Sequence, residues 1–175
     1  NGQIDFAALE KLVEDEIQNG IDYLVALGTT SESPALSQKE KEEVVRTVVA
    51  VNAGRVAVLR GLGGPNTLEL VEQLHTLDFT GVDAILSVTP YYNRPSQEGV
   101  YRHYHTLSDH SPLPIILYNV PKRTGCNIEA DTTLRLANDC PNIIAVKEAS
   151  GNLNQIMRIV KHKPAEFSVI SGDDA

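Results

Sequence analysis

Apolar and polar positions alternate along this chain in blocks of two kinds. From Asp5 onward, Phe6, Leu9, Leu12, Val13 and Ile17 recur at helical spacing, with Asp5 placed to cap the helix and Gly20 to end it. The following block, Ile21 to Leu27, is short and mostly apolar and predicts a strand that runs into the hydroxyl-rich turn GTTSES at 28–33. Ser37 and Glu40 have the spacing of a capping box, so a second helix is expected through Val44, Val45, Val48 and Val49, with Gly54 as its stop. The alternation continues with a strand at 55–60, the loop GLGGPNT and a helix carrying Leu68, Leu70, Val71 and Leu74. A strand at 82–88, a loop at 89–95 and a helix at 97–107 come next, then a strand at 114–117, a loop at 118–125 and a helix at 128–138. The last strand–helix–strand set is Ile143 to Lys147, a helix with Leu153, Ile156, Ile159 and Val160, and a strand at 167–170.

Six apolar strands separated by helices predict an α/β fold with parallel strands, because right-handed crossovers place the helices outside the sheet. A doubly wound open sheet and a (β/α)8 barrel both fit this pattern. The chain opens on a helix and stops at SGDDA, just past a strand, and is expected to be an incomplete part of a longer protein. The only repetition is the strand–helix alternation, and neither a linker nor a low-complexity segment interrupts it.

Composition narrows the function classes. With 42% hydrophobic and 22% charged residues the 175-residue chain has ordinary globular composition, enough for one domain with a sizeable core. A formal net charge of -8 and fifteen scattered basic residues argue against nucleic acid and anionic membranes, whose phosphates are gripped by clustered cations. No apolar run spans a membrane and the N-terminus has no signal-peptide pattern, so a cytoplasmic location is expected. Cys126 and Cys140 are too few for a disulfide framework and are expected to be reduced thiols.

The residues with chemistry to offer fall after strands and before helices: Thr29 and Thr30, Tyr91 and Tyr92, Tyr118 and Asn119, Lys147, then Gly172, Asp173 and Asp174. In a parallel α/β fold the carboxyl ends of the strands lie on one face, which is where ligands bind. Strand alternation puts Lys147 on the face of Ile143 and Ala145, with the small alanine leaving room for a ligand. Desolvation favours a neutral amine, and a neutral amine attacks a carbonyl to give a Schiff base. The competing reading has Lys147 leave the strand and pair with Glu148 or with solvent.

The other candidates carry similar alternatives. Thr29 and Thr30 also suit turn hydroxyls, Tyr118 suits a strand end on propensity, and Tyr91 and Tyr92 suit an interface. GLGGPNT precedes a helix but lacks both the Lys-Ser/Thr ending of a P-loop and GxGxxG spacing, and reads as a turn. Asp173 and Asp174 are adjacent, so their side chains diverge and make a weak magnesium site. The five histidines show no metal-ligand spacing. Neither a metal nor a cofactor is expected.

Five stretches, GTTSES at 28–33, VTPYYNRPSQEG at 88–99, ILYNVPKRTG at 116–125, VKEASGN at 146–152 and SGDD at 171–174, resemble in order and spacing the motifs of the dihydrodipicolinate synthase family. These are pyruvate-dependent lyases of the class I aldolase type. Their wider superfamily includes N-acetylneuraminate lyase and sugar-acid aldolases. The resemblance covers essentially the whole chain. It implies a (β/α)8 barrel of which residues 1–175 are a partial catalytic domain, without the first strand, the last barrel elements and the C-terminal helical domain. It further implies condensation of pyruvate with L-aspartate 4-semialdehyde in lysine and diaminopimelate biosynthesis, by a homotetramer built of dimers.

On that resemblance Lys147 forms the Schiff base and Tyr118 shuttles protons, relayed through Thr29 and through Tyr92 from the neighbouring subunit. The backbone amides of Thr29 and Thr30 hold the pyruvate carboxylate, Arg123 receives the carboxylate of the second substrate, and Gly172 lines the pocket. Ser31 stands where the family motif has glycine, and a positive φ there would strain the turn. Of the lysine-inhibitor positions Ser33 and Glu69 match, whereas Gln38, Lys41 and Pro65 do not, which leaves feedback open. Arg123 favours an acceptor with its own carboxylate over a polyol such as the substrate of a sister aldolase. An alternative of another class is a non-catalytic binding module for phosphorylated sugars that uses GLGGPNT.

Overall fold

The computed structural model describes residues 2–172, which fall into two compact units. The first comprises the chain up to Gly61 together with Phe79–Ile85, and the second comprises Leu62–Asp78 with the chain from Leu86 onward. Within each unit the strands are neighbours in the order in which they occur along the chain.

In the first unit, helix α1 (Phe6–Gln18) starts as the sequence predicts: the Asp5 carboxylate accepts the Ala8 N–H at 3.0 Å. Strand β1 (Tyr23–Ala26) leads through two 3-10 turns, Thr29–Ser31 and Ser33–Ala35, into α2 (Gln38–Asn52). The expected capping box is present, with Ser37 and Glu40 each accepting from the other's backbone N–H. Strand β2 (Ala57–Gly61) runs parallel to β1, with Tyr23 opposite Ala57 and Ala26 opposite Arg60. Next to β2, the first residues of β3 (Ala84–Val88) are fixed by Asp83, whose N–H donates to the Val58 carbonyl and whose carboxylate accepts the Val58 N–H. Val13, Val44, Val45, Val48 and Val58 bury their side chains in this unit. Arg60 is buried too, held by the Glu42 carboxylate and lying over the Phe79 ring. At the surface Arg55 clamps Glu14 through two N–H bonds of 3.0 and 2.6 Å and holds its carboxyl down to about 2.

The second unit holds α3 (Thr67–Thr76), α4 (Gln97–His110), β4 (Ile115–Asn119), the short α5 (Pro121–Thr124), α6 (Ala130–Asp139), β5 (Ile143–Glu148), α7 (Leu153–His162) and β6 (Ser168–Ser171). Strands β4, β5 and β6 are parallel. All five residues of β4 are buried, as expected for a strand covered on both faces. Helices α4, α6 and α7 pack side by side and bury Val100, Tyr104, Leu107, Leu136 and Ile159.

Two local features differ from the sequence expectation. Strand β4 extends to Asn119, so Tyr118 lies within a strand rather than in a loop, and the following residues form α5. Pro121 presets its first turn and Gly125, at φ 69°, ends it. Register also shifts between Ile115 and Ile116: Ile115 faces Ile143 while Ile116 faces Ala145, leaving Ile144 as an extra residue. The bulge puts Ile143 out of step with Ala145 and Lys147, so the expected three-residue stripe begins at Ala145.

His103 on α4 is a buried histidine that the sequence did not single out. Its Nδ1 lies 2.8 Å from Thr67 Oγ1, Nε2 has no hydrogen-bond partner among the described residues, and burial holds the imidazole down to about 4. In the unfolded chain a histidine takes its proton near pH 6.5, so the unfolded state is protonated first as pH falls. The contribution of His103 to stability is therefore complete above about pH 6.5 and is lost as pH falls from there towards 4, by up to about 3 kcal/mol. Thermal unfolding of full-length protein at pH 7, 6, 5 and 4 should show this slope. It should flatten in His103→Asn, whose amide keeps the contact to Thr67 without a titrating ring. An unchanged slope in that variant would assign the pH dependence to other groups.

Candidate active site

Lys147 and Tyr118 are register partners on β5 and β4, near the carboxyl ends of adjacent parallel strands. Paired residues of adjacent strands project to the same face of the sheet, so the amine and the phenol are side by side, with Lys147 Nζ 5.1 Å from the centre of the Tyr118 ring. Tyr118 is 8% exposed and Lys147 half-buried. No hydrogen bond or ion pair engages Nζ or the Tyr118 hydroxyl among the described residues. The strand end is stiffened from its other side, since Thr89 gives both its N–H, at 3.1 Å, and its hydroxyl, at 3.0 Å, to the Tyr118 carbonyl.

Glu148 does not pair with Lys147. Its carboxylate lies on the opposite face of β5, 2% exposed, and is met by three donor groups: Asn119 Nδ2, which lies 3.0 and 3.1 Å from its two oxygens, the Ser150 backbone N–H at 2.8 Å and Gln155 Nε2 at 3.0 Å. The structure therefore excludes that ion pair and leaves the amine facing the space beside Tyr118.

Further members of the second unit arrive on short connections. Arg123 sits on α5, exposed, and no carboxylate engages its guanidinium among the described residues. Gly172 closes against β5: its N–H donates to the Glu148 carbonyl at 2.9 Å, and a Cβ on it would lie 2.6 Å from the Ala149 methyl. Glycine at 172 is thus required by close packing at the strand ends. Tyr92 is 88% exposed and stands at φ 69°, inside a tight turn in which the Asn93 N–H reaches the Tyr91 carbonyl at 2.8 Å. A tyrosine in that conformation stores backbone strain, a feature that gathers at functional loops. Arg94, two residues on, lays its guanidinium over Gly125, a contact the sequence did not suggest. Asp173 and Asp174 lie outside the described residues.

Thr29 and Thr30 belong to the first unit and are exposed on the turn after β1. The concern about Ser31 is resolved: the positive φ of this turn falls on Glu32, at 51°, while Ser31 sits within the 3-10 turn and donates its hydroxyl to the Gly28 carbonyl at 2.6 Å. Leu27, just before it, is buried at φ 59°, and its carbonyl needs the bare backbone of Gly61, where a Cβ would lie only 2.1 Å away.

Two parts of the GLGGPNT loop serve local structure. A Cβ on Gly63 would fall 2.4 Å from a Val88 methyl, and the Asn66 side chain caps α3 by accepting the Leu68 and Glu69 N–H groups. Those are the donors a phosphate cradle would need. No three His, Cys, Asp or Glu side chains converge on one point among the described residues. Both cysteines are buried free thiols, raised by burial. No helix among the described residues is long and apolar enough to cross a membrane.

Known proteins share this sequence and fold. A family model described as the dihydrodipicolinate synthetase family matches residues 1–175. The chain is 56% identical over 171 residues to the 4-hydroxy-tetrahydrodipicolinate synthase of Parabacteroides distasonis, covering 98% of this chain and 58% of that protein. The solved synthase of Methylacidiphilum fumariolicum SolV superposes with a TM-score of 0.94 at 45% identity, over 99% of this chain and 58% of that one. The chloride-inhibited dihydrodipicolinate synthase of Acinetobacter baumannii, solved with pyruvate, superposes at TM-score 0.94 and 41% identity, over 99% and 59%. The chain thus spans a little under three-fifths of the length of these relatives. Its fold is the parallel α/β fold of the family's (β/α)8 barrel domain, and the doubly wound alternative is set aside.

Proposed function

The chain belongs to the dihydrodipicolinate synthetase family, and on that premise we propose that the full-length protein is a lyase that condenses pyruvate with L-aspartate 4-semialdehyde. The observation that carries the reading is the register pair of Lys147 and Tyr118, an amine without a hydrogen-bond or ion-pair partner among the described residues beside a phenol at the ends of adjacent parallel strands. Lys147 Nζ attacks the keto carbon of pyruvate, and water leaves to give an imine. The protonated imine is an electron sink, so a methyl proton departs and an enamine forms. Its carbon attacks the aldehyde, and attack of the acceptor's own amine on the imine carbon closes the ring and releases Lys147. The reaction as written needs neither metal nor cofactor.

In this reading Tyr118 passes protons to and from the reacting centre, with Thr29 and a partner subunit's Tyr92 completing the relay. The amides of Thr29 and Thr30 hold the pyruvate carboxylate, Gly172 lines the pocket, and Arg123 meets the carboxylate of the semialdehyde, for which a bidentate guanidinium is suited. The extreme exposure of Tyr92 supports an interface role, and the active species is a homo-oligomer, a tetramer built of dimers. We place the reaction in the cytoplasm, within lysine and diaminopimelate biosynthesis. Residues 1–175 are then part of the barrel, with the first strand, last barrel elements and C-terminal helices supplied by the rest of the protein.

Turnover assays on full-length protein should show synthesis from pyruvate and aspartate semialdehyde and no cleavage of N-acetylneuraminate. The same preparation should sediment as a dimer or larger. Cleavage without synthesis would transfer the protein to a sister aldolase, and a fully active monomer would remove Tyr92 from the relay.

A further inference from the structure

Residues Tyr118 and Asn119 on β4 face Lys147 and Glu148 on β5, pair by pair. Alternation along the strands makes the two pairs back to back: the amine and phenol project to one face, the amide and carboxylate to the other. The rear pair is among the most deeply buried polar groups of the unit, Asn119 at 0% and Glu148 at 2% exposure. No cation compensates the Glu148 carboxylate among the described residues, and its partners are three donor groups, the Asn119 amide on β4, the Gln155 amide on α7 and the Ser150 peptide N–H. Burying such a group is costly unless every lone pair is met, and a satisfied network of this kind fixes one arrangement of the elements it joins.

The network also reaches the connection that carries Arg123. Asn119 Oδ1 accepts the Ile128 N–H at 2.9 Å, and Asn119 Nδ2 donates to Asn127 Oδ1 at 2.8 Å. Asn127 in turn donates to Gln155 Oε1 at 2.9 Å, while Gln155 Nε2 reaches the Ile128 carbonyl at 3.1 Å. The segment that returns from α5 is thereby pinned to the strand that carries Lys147.

We infer that Glu148 is a positioning residue for the Schiff-base lysine: its carboxylate, clamped by Asn119, Gln155 and the Ser150 amide, locks the β4–β5 register that sets the amine against the phenol. The inference rests on the proposed imine chemistry of Lys147. Glu148 touches no reactant and acts through the two strands. The donor geometry is one-sided, so an amide in place of the carboxylate turns an NH2 group towards groups that are themselves donors. A shift of about 1 Å in a reacting group is enough to cost on the order of 100-fold in rate.

In full-length protein Glu148→Gln should still form the borohydride-trapped pyruvate adduct on Lys147, with kcat lowered between about 10-fold and 100-fold and KM for pyruvate changed less than about threefold. Asn119→Asp should lose turnover similarly, because it sets two carboxylates together. The double variant Asn119→Asp/Glu148→Gln restores donor to acceptor between positions 119 and 148 alone, so it should recover kcat by about threefold or more over either single variant, which a loss of general stability would not do. Rates are to be normalised to the trapped adduct per chain, which removes any unfolded fraction. If Glu148→Gln fails to fold, Gln155→Ala, which deletes one donor at the helix end, should lower normalised kcat by about threefold or more. Parental normalised kcat in the single variants, or a double variant no better than either single, overturns the inference. Absence of a trapped adduct in the parent protein would instead refute the imine reading on which it rests.

Discussion

Borohydride added to the full-length protein with pyruvate should leave one pyruvate-derived adduct, on the peptide that contains VKEASGN at residues 146–152. Reduction turns the imine into a stable secondary amine, whereas a lysine engaged only in an ion pair gives nothing to reduce. The structure sharpens the expectation because the one nearby carboxylate in sequence, Glu148, is turned to the other face and fully engaged there. Lys147→Arg keeps a cation of similar reach but offers no deprotonatable amine at any accessible pH. That variant should fold, since Lys147 makes no hydrogen bond or ion pair among the described residues, and it should lose the adduct together with turnover by on the order of a thousandfold or more. An adduct on a different lysine, or an arginine variant with comparable turnover, would sink the mechanism.

Replacing Tyr118 by phenylalanine should have the second largest effect. The ring stays, with its packing between strands, and only a hydroxyl without a partner among the described residues is removed, so stability should change little. A positioned proton carrier is worth about 100-fold to 10,000-fold, and kcat should fall within that span. Because the Lys147 amine is untouched, the trapped adduct should still accumulate in the phenylalanine variant, only more slowly. Rapid-quench measurement of adduct formation beside steady-state turnover separates the two steps. Turnover within threefold of the parent would mean that protons reach the imine by another route.

Much of this architecture was legible in the sequence, for reasons that differ from element to element. The caps at Asp5 and Ser37–Glu40 were readable because each depends on side chains within one turn of the helix it starts. Six apolar runs gave six strands because parallel strands are buried on both faces and carry an unbroken signal. What was not readable depends on neighbours distant in the chain. The phase of Ile143 is set by an extra residue opposite Ile115, and no pattern within β5 announces it. The apolar run ends at Leu117, so the pattern alone starts the loop at Tyr118, while pairing with β5 carries the strand on to Asn119. The strained residues after β1 are Leu27 and Glu32 rather than Ser31, a distinction that a motif comparison cannot make.

The candidate site divides along the same line. Lys147 and Tyr118 stood out because a cationic and a phenolic side chain closing apolar strands need an explanation. Glu148, Asn119 and Gln155 gave a fainter version of the same signal, polar residues inside otherwise apolar patterns. Glu148 enters the sequence reading only as an ion-pair partner for the adjacent lysine. Consecutive residues on a strand face opposite ways, so neither neighbour explained the other.

The bulge at Ile144 separates strand β5 into two portions with different tolerance for length change. An extra or missing residue on the N-terminal side of Ala145 falls where pairing is already irregular, and the strand can absorb it there. On the C-terminal side a slip of one position would exchange the faces, turning the lysine into the amide cluster and the glutamate towards the substrate. For a graft of this chemistry into another parallel barrel, the portable cassette therefore begins at Ala145 and must carry the β4 strand end with it.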